Sequence, residues 1–474
     1  FRRCDYLSEI INEPKMKTAK ELLEFAARQG IHHLESQPGR HPFPGPSAIE
    51  QLDRLSFPLP DTPTAPEEVI RLLDEAGSPA AVGNTGGRYF GFVIGGSLPV
   101  TVAANWLAGA WDQNAGLKVT SPLAAKIEEV AAAWLLEVLR LPGEAGVGFV
   151  TGATMANFCG LAAARHTLLK RKGWNVEARG LYGAPEVKVV VGAEAHASPL
   201  KALSMLGFGS ERVMRVPINS EGEILPDQLP PLDDMTIVCL QAGNVNSGAI
   251  DPLEEICRMA RARGAWVHID GAFGLWGAAS PQLAEQLTGH DLADSWATDL
   301  HKWLNVPYDS GIVICRDPQG LRAAMSINAA YIPPQEEREP YAFTPEMSRR
   351  ARGIEAWAAL YALGKSGVAE LVENSCRHAR HFARRLKRAG FEVLNEVNLN
   401  QVLVSFGSDE LTRRVIRELQ KEGTCWCGST TWHGRHVMRI SVSSWATTTE
   451  DVEACAEAMI RVAKQEKSFK LVGC

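Results

Sequence analysis

No lysine- or arginine-rich stripe stands out in this sequence, and 55 acidic residues outnumber 49 basic ones for a formal net charge of −6. A surface that tracks phosphates needs clustered positive charge, so nucleic-acid binding is set aside. Ten cysteines in 474 residues do not amount to a disulfide framework, which points to a reducing, cytoplasmic setting. The opening stretch FRRCDYLSEIINEPKMK has neither the apolar core nor the small-residue cleavage site of a secretory signal. Met16 is read as the natural start and residues 1–15 as an upstream extension. One stretch without charge is long enough to mislead. GFVIGGSLPVTVAANWLAGAW, the 21 residues from Gly91 to Trp111, would span a bilayer by length alone. Its four glycines, proline and asparagine argue against a membrane span and for a helix buried in a core or a subunit interface.

What is present is ordinary globular chemistry. Hydrophobic residues make up 45% and charged residues 22%, enough in a chain this long for two or three domains with large cores. Residues 1–95 read as a helical, proline-punctuated N-terminal segment, with HPFPGPS and FPLPDTPTAP as loops. SPLAAKIEEVAAAWLLEVLRLPG is a helix by its apolar spacing, stopped by Pro142-Gly143. Short apolar runs (VGFV, VKVVVG, TIVCLQAG, AWVHIDG and GIVIC) then alternate with helical stretches such as SPLKALSMLG and PLEEICRMARARG. Runs of this kind fit strands buried on both faces. Their alternation with helices predicts an α/β domain over 96–350 around a mostly parallel sheet. From 351 to 474 the texture shifts to a long helix, strand-like FEVLN, QVLVSFG and VMRISVSS, and further helices. That predicts a small α+β domain.

In a doubly wound sheet ligands sit past the carboxyl ends of the strands, so polar residues there carry most information. Thr151-Gly152-Ala153-Thr154 opens a helix after VGFV, where free backbone N–H groups and a hydroxyl form an anion cup. An ordinary capped helix has the same pattern. His196 and Ser198 follow VVVGAEA. Read singly, Ser198 is a helix cap and His196 a loop residue. Asp270 ends AWVHID and is followed by the small Gly271 and Ala272. A carboxylate there can bind metal, cap a helix or pair with a cationic ring nitrogen. Lys302 lies in ATDLHKWLNVPYDSGIVIC (297–315), at a strand end beside His301 and Trp303. Desolvation by such neighbours would lower its pKa and make it an amine nucleophile toward carbonyls. Each signal is weak alone. In this order they supply what pyridoxal phosphate needs: phosphate cup, ring-facing histidine, aspartate and Schiff-base lysine.

EAHAS (194–198), HIDGAFG (268–274) and DLHKW (299–303) resemble the motifs of the pyridoxal-phosphate-dependent amino-acid decarboxylases of the aromatic-amino-acid and glutamate decarboxylase group. The resemblance runs over roughly residues 85–450. It implies the aspartate aminotransferase-like fold (fold type I), pyridoxal 5′-phosphate as cofactor, a homodimer, and conversion of an L-amino acid to an amine and CO2. It also implies roles. Lys302 holds the cofactor as a Schiff base, Asp270 pairs with the pyridinium nitrogen, His196 stacks on the ring and Ala272 packs beneath it. Ala153 and Thr154 help hold the phosphate with His301 nearby. Asp299 joins the cofactor-binding residues where relatives often carry asparagine. Tyr331, in NAAYIPPQ, is the implied loop tyrosine that returns a proton, with a plain surface aromatic as the alternative.

Some positions depart from the family. Gly86-Gly87 precede Arg88-Tyr89-Phe90 where a His-Pro pair often stands, and Gly243-Asn244-Val245-Asn246 replaces a Gly-Thr-Thr run. These leave the substrate open. Trp276, Phe92 and Trp303 are compatible with an aromatic or otherwise apolar amino acid, and no basic contact for glutamate is marked. Rival readings are an aldehyde synthase, an aminotransferase or a carbon–carbon lyase on the same scaffold. A binding protein without cofactor is disfavoured by Lys302. Cys425, Cys427, His433 and His436 lack a recognised zinc spacing, so no metal site is read.

Overall fold

The computed structural model describes residues 18–326 and 338–472. Met16 and Tyr331 lie outside them. Seven strands form one sheet: β1 (Gly146–Val150), β2 (Lys188–Gly192), β3 (Val213–Val216), β4 (Thr236–Gln241), β5 (Trp266–Asp270), β6 (Ser295–Asp299) and β7 (Gly311–Cys315). They are ordered β1-β7-β6-β5-β4-β2-β3, and β7 runs against both its neighbours while the others are parallel. Side-chain alternation along each strand feeds two cores, one on each face. Val190, Val238, Leu240, Ile269, Ile312 and Ile314 enter one. Val189, Val191, Ile237, Cys239, Val313 and Cys315 enter the other. This double burial is why the strands read as continuous apolar runs.

All five predicted runs in this region are strands; β3 and β6 were not foreseen. In β6, SWATD, polar residues break the apolar signal, yet all five are buried. Ser295 Oγ accepts the Trp266 indole N–H at 2.9 Å, and Thr298 Oγ1 donates to the Ala272 carbonyl at 3.4 Å. Satisfied hydrogen bonds allow such burial.

A second, antiparallel sheet comprises β8 (Glu392–Val393), β9 (Gln401–Ser405), β10 (Gly428–Trp432) and β11 (Arg435–Ser441), ordered β10-β11-β9-β8. Leu411, Val415 and Leu419 of helix Asp409–Glu422 share its core with Val452, Ala456 and Met459 of helix Thr449–Val472. The helical run Gly353–Arg388 contributes Ala356 and Ala359 to the first sheet's core and Ala379 and Phe382 to the second's. It breaks at Gly364, where φ is 59°, a left-handed conformation that glycine adopts without steric cost.

The uncharged stretch 91–111 becomes a helix only over Pro99–Trp111, and Thr101 is its one buried residue. Ala104 and Ala108 pack against the small core of Ala115, Ala124, Ala351 and Ile354, while Trp106, Leu107 and Trp111 are exposed. Among the described residues no helix is long and apolar enough to cross a membrane.

Candidate active site

The parallel strands end along one edge of the sheet, and four of those ends supply the residues singled out above. After β1, helix Ala153–Arg171 starts beside the end of β6. Ala153 N–H donates to Asp299 Oδ1 at 2.6 Å. A side chain at Gly152 would crowd Asp299 and His301 at 3.0 Å, and one at Gly311 would meet the Gly152 backbone at 2.6 Å. Glycine there lets the turn sit on the β6–β7 connection.

After β2, His196 is itself the cap of helix Ala197–Met205: its Nδ1 accepts from the Ser198 N–H at 3.2 Å. Ser198 Oγ lies 2.8 Å from the same nitrogen. The cap is therefore the histidine, and Ser198 orients it. His196 is exposed at the open site, yet its surroundings lower its pKa. Desolvation dominates, the charges of Lys302 and Arg439 add to it, and those of Asp270 and Asp299 oppose it. The ring is uncharged at neutral pH, with Nδ1 as acceptor and Nε2 carrying the proton.

Asp270 closes β5 and is only 5% exposed. Its Oδ2 is met by Asn157 Nδ2 at 3.2 Å and Ser198 Oγ at 3.3 Å, and its Oδ1 accepts from Ala272 N–H at 3.2 Å. Burial raises its pKa, against the pull of His196, Lys302 and the Asn157 hydrogen bond. Among the described residues, no cation is ion-paired with it.

After β6 comes the short turn Leu300–Trp303. Lys302 Nζ lies 2.8 Å from Asp299 Oδ2, with the lysine side chain 19% exposed. Its backbone carbonyl rests on Gly95, where a Cβ would come within 1.9 Å of the oxygen. Trp303, expected to dry the lysine, is buried in the core edge-on to Phe273; the charge of Lys302 meets Asp299 instead. His301 Nδ1 accepts from Ser310 N–H at 3.0 Å, Nε2 is 3.3 Å from Asp299 Oδ1, and its ring stacks on Tyr308 at 4.2 Å. Burial lowers its pKa.

So the structure brings Ala153, His196, Asp270, Ala272, Asp299, His301 and Lys302 to one edge, with Thr154 exposed beside them. Trp276 is fully buried, its indole N–H donating to the Asp299 carbonyl at 3.0 Å. It is core rather than pocket, as is Trp303, whereas Phe92 is exposed. Cys425 and Cys427 are buried under the second sheet, and His433 turns to the Ser220 carbonyl at 3.0 Å. Arg439 on β11 escaped the sequence reading. It donates to Val245 O at 3.3 Å and Asn246 Oδ1 at 3.2 Å, and its charge reaches His196. A lone arginine inside the apolar run VMRISV was the available signal, since a buried cation wants an anionic partner.

This donor set fits pyridoxal phosphate. Asp270 is a buried carboxylate with no ion-paired cation among the described residues, a place that a protonated ring nitrogen would fit, and the charge of Lys302 acts on both Asp270 and His196. Comparison with known proteins agrees. Residues 85–407 match the pyridoxal-dependent decarboxylase conserved domain. An aromatic-L-amino-acid decarboxylase from Bacillus atrophaeus is 25% identical over 451 residues, 89% of this chain and 90% of that protein. An L-2,4-diaminobutyrate decarboxylase from Acinetobacter baumannii is 26% identical over 77% of this chain and 76% of its own. The crystal structure of Oryza sativa TDC with PLP and tryptamine superposes with a TM-score of 0.87 at 21% identity, covering 96% of this chain and 99% of that one. The chain belongs to the pyridoxal-dependent decarboxylase family and is a pyridoxal-phosphate-dependent amino-acid decarboxylase.

Proposed function

We propose that the enzyme decarboxylates an aromatic or other apolar L-amino acid, with Lys302, Asp270, His196 and Tyr331 as its working residues. The observation that carries the site assignment is the buried Asp270 carboxylate, which has no ion-paired cation among the described residues and shares its surroundings with Lys302 and His196. Bound pyridoxal phosphate supplies an electron-accepting ring for the pair released when the bond from Cα to the carboxylate breaks. Lys302 would hold the cofactor through its amine. Asp270 keeps a proton on the ring nitrogen. His196 has its Nδ1 engaged by Ser198, which leaves its Nε2–H for the substrate. Ala153, Thr154 and His301 hold the phosphate end, Ala272 packs beneath the ring, and Asp299 holds Lys302 in place. Tyr331 returns the proton to Cα. Tyr331→Phe should keep CO2 release while amine yield falls; an unchanged amine yield would remove it from the reaction.

Aromatic rings stack on His301 and, separately, around Trp426, which supports the substrate class. Tyr308, stacked on His301, has its pKa raised mainly by burial, then by the charge of Asp299 and by Tyr89. Tyr89 stacks on Trp426 at 5.0 Å, and Phe92 faces the same indole at 6.1 Å. A second reading, an acidic substrate, rests on Arg439 alone. Mass-spectrometric product identification across the twenty amino acids separates them. Amines from tryptophan, tyrosine or phenylalanine are expected; turnover confined to aspartate or glutamate would reverse the assignment.

The proposal extends to assembly and setting. The exposed Trp106, Leu107 and Trp111 are read as a homodimer interface, because a monomer surface rarely offers so much apolar area. The eight described cysteines are free thiols, which supports a reducing, cytoplasmic location. We also read residues 96–350 and 351–474 as two units, a reading supported by the seven-stranded sheet lying wholly before residue 350 and the four-stranded sheet wholly after it.

A further inference from the structure

Trp266, His268 and Asp270 alternate along β5 and so share one face, against helix Ala153–Arg171. The helix makes room there: a side chain at Gly160 would lie 2.8 Å from the His268 ring. The imidazole is wholly buried. His268 Nε2 is 2.7 Å from Asn157 Oδ1, and Nδ1 is 2.8 Å from Ser295 Oγ. An amide oxygen only accepts, so Nε2 carries the proton and Nδ1 accepts from the Ser295 hydroxyl. Ser295 Oγ in turn accepts the Trp266 indole N–H. Burial pushes the His268 pKa down to about 3, which keeps the ring uncharged through the working pH range, while its two hydrogen bonds set the tautomer.

The direction of the chain is thereby fixed. Trp266 donates to Ser295, Ser295 to His268, and His268 to Asn157. Asn157, its oxygen taken, must turn its amide N–H groups to Asp270 Oδ2 at 3.2 Å and Ser198 Oγ at 3.3 Å. The flipped amide would set a carbonyl oxygen against a buried carboxylate, a repulsive contact without a donor. We propose that His268 is a positioning residue that, through Asn157, keeps the Asp270 carboxylate ionised and aimed at the cofactor's ring nitrogen. The inference rests on the role given to Asp270 above.

The test compares His268→Leu, which removes the donor, with His268→Gln, whose side-chain N–H replaces Nε2–H. Asp270→Asn runs in parallel as the check on the underlying reading. The readouts are the pyridoxal-phosphate dissociation constant of the cofactor-free enzyme, the pH dependence of the holoenzyme's visible absorbance, and kcat and KM separately. His268→Leu should weaken cofactor binding about tenfold and lower kcat by a similar factor with KM little changed, the size of one lost hydrogen bond to a buried charged group. His268→Gln should recover most of both. Equal damage in the Gln and Leu variants would reduce His268 to packing and overturn the proposal, as would wild-type affinity, spectrum and kcat in His268→Leu. If Asp270→Asn is damaged while His268→Leu is not, only this inference fails; if Asp270→Asn binds cofactor and turns over normally, the reading of Asp270 fails first. Should His268→Leu not fold, Ser295→Ala reads the same chain from one step back. It frees the imidazole tautomer and should weaken cofactor binding several-fold, whereas unchanged binding would overturn the proposal.

Discussion

Lys302 is ion-paired to Asp299 at 2.8 Å, and the other oxygen of that carboxylate takes the Ala153 N–H at 2.6 Å. One aspartate thus holds both the lysine and the amino end of helix Ala153–Arg171. That helix end is where an anion is favoured by free N–H groups and the helix dipole. A carboxylate there competes with an incoming phosphate for the same donor. Asp299→Asn keeps the shape and removes the charge. The cofactor-free variant should bind pyridoxal phosphate and inorganic phosphate about tenfold more tightly, read by fluorescence titration. Equal or weaker binding would show that Asp299 does not oppose the phosphate.

The lysine itself gives the most direct check. Purified enzyme should absorb in the visible, and borohydride should fix the cofactor covalently on Lys302, as peptide mapping would locate. Lys302→Ala should lose the band and at least roughly a thousandfold in kcat/KM. A label on any other lysine would sink the assignment.

How much of this was legible beforehand follows from the physics of each part. Five strands were readable because burial on both faces writes an apolar run. β6 was not, because Ser295, Thr298 and Asp299 are buried through hydrogen bonds, which leave no hydropathy signature. HIDGAFG marked Asp270 as a strand-end residue, and DLHKW marked Lys302 ahead of β7, where it lies in the short turn after β6. What they did not reveal was the partner of the lysine: the charge of Asp299 mattered more than the bulk of Trp303. Neither Asn157 nor Arg439, the latter despite its place inside an apolar run, could be assigned to the site, for another reason. Each reaches the site from an element distant in sequence, and only the fold brings β11 and helix Ala153–Arg171 to His196 and Asp270.

The helix Pro99–Trp111 offers a prediction about assembly. Trp106→Glu combined with Leu107→Glu places two charges on the exposed apolar face, which a buried interface would not tolerate. The variant should be monomeric by light scattering and inactive, with its own helical content retained. A fully active dimer would put the interface elsewhere.

The last prediction concerns acid stability and isolates His268. Its ordinary value of 6.5 falls to about 3 in the folded chain through burial. Above pH 6.5 the residue is neutral folded and unfolded, so it contributes no pH dependence. Between about 6.5 and 3 the unfolded chain takes up a proton that the folded chain refuses, so acid favours unfolding at about 1.4 kcal/mol per pH unit. Stability from this group is thus present at neutral pH and lost as pH falls. His268→Gln has no titrating ring, and its stability should decline less steeply across pH 6 to 4, compared by denaturant titration at each pH. Nothing in the hydrogen-bond geometry forbids a second proton, since Ser295 Oγ could accept from an Nδ1–H. The penalty comes from desolvation alone. Parallel slopes for the two proteins would therefore mean that water reaches His268 in acid, and that the helix above it opens before the fold is lost.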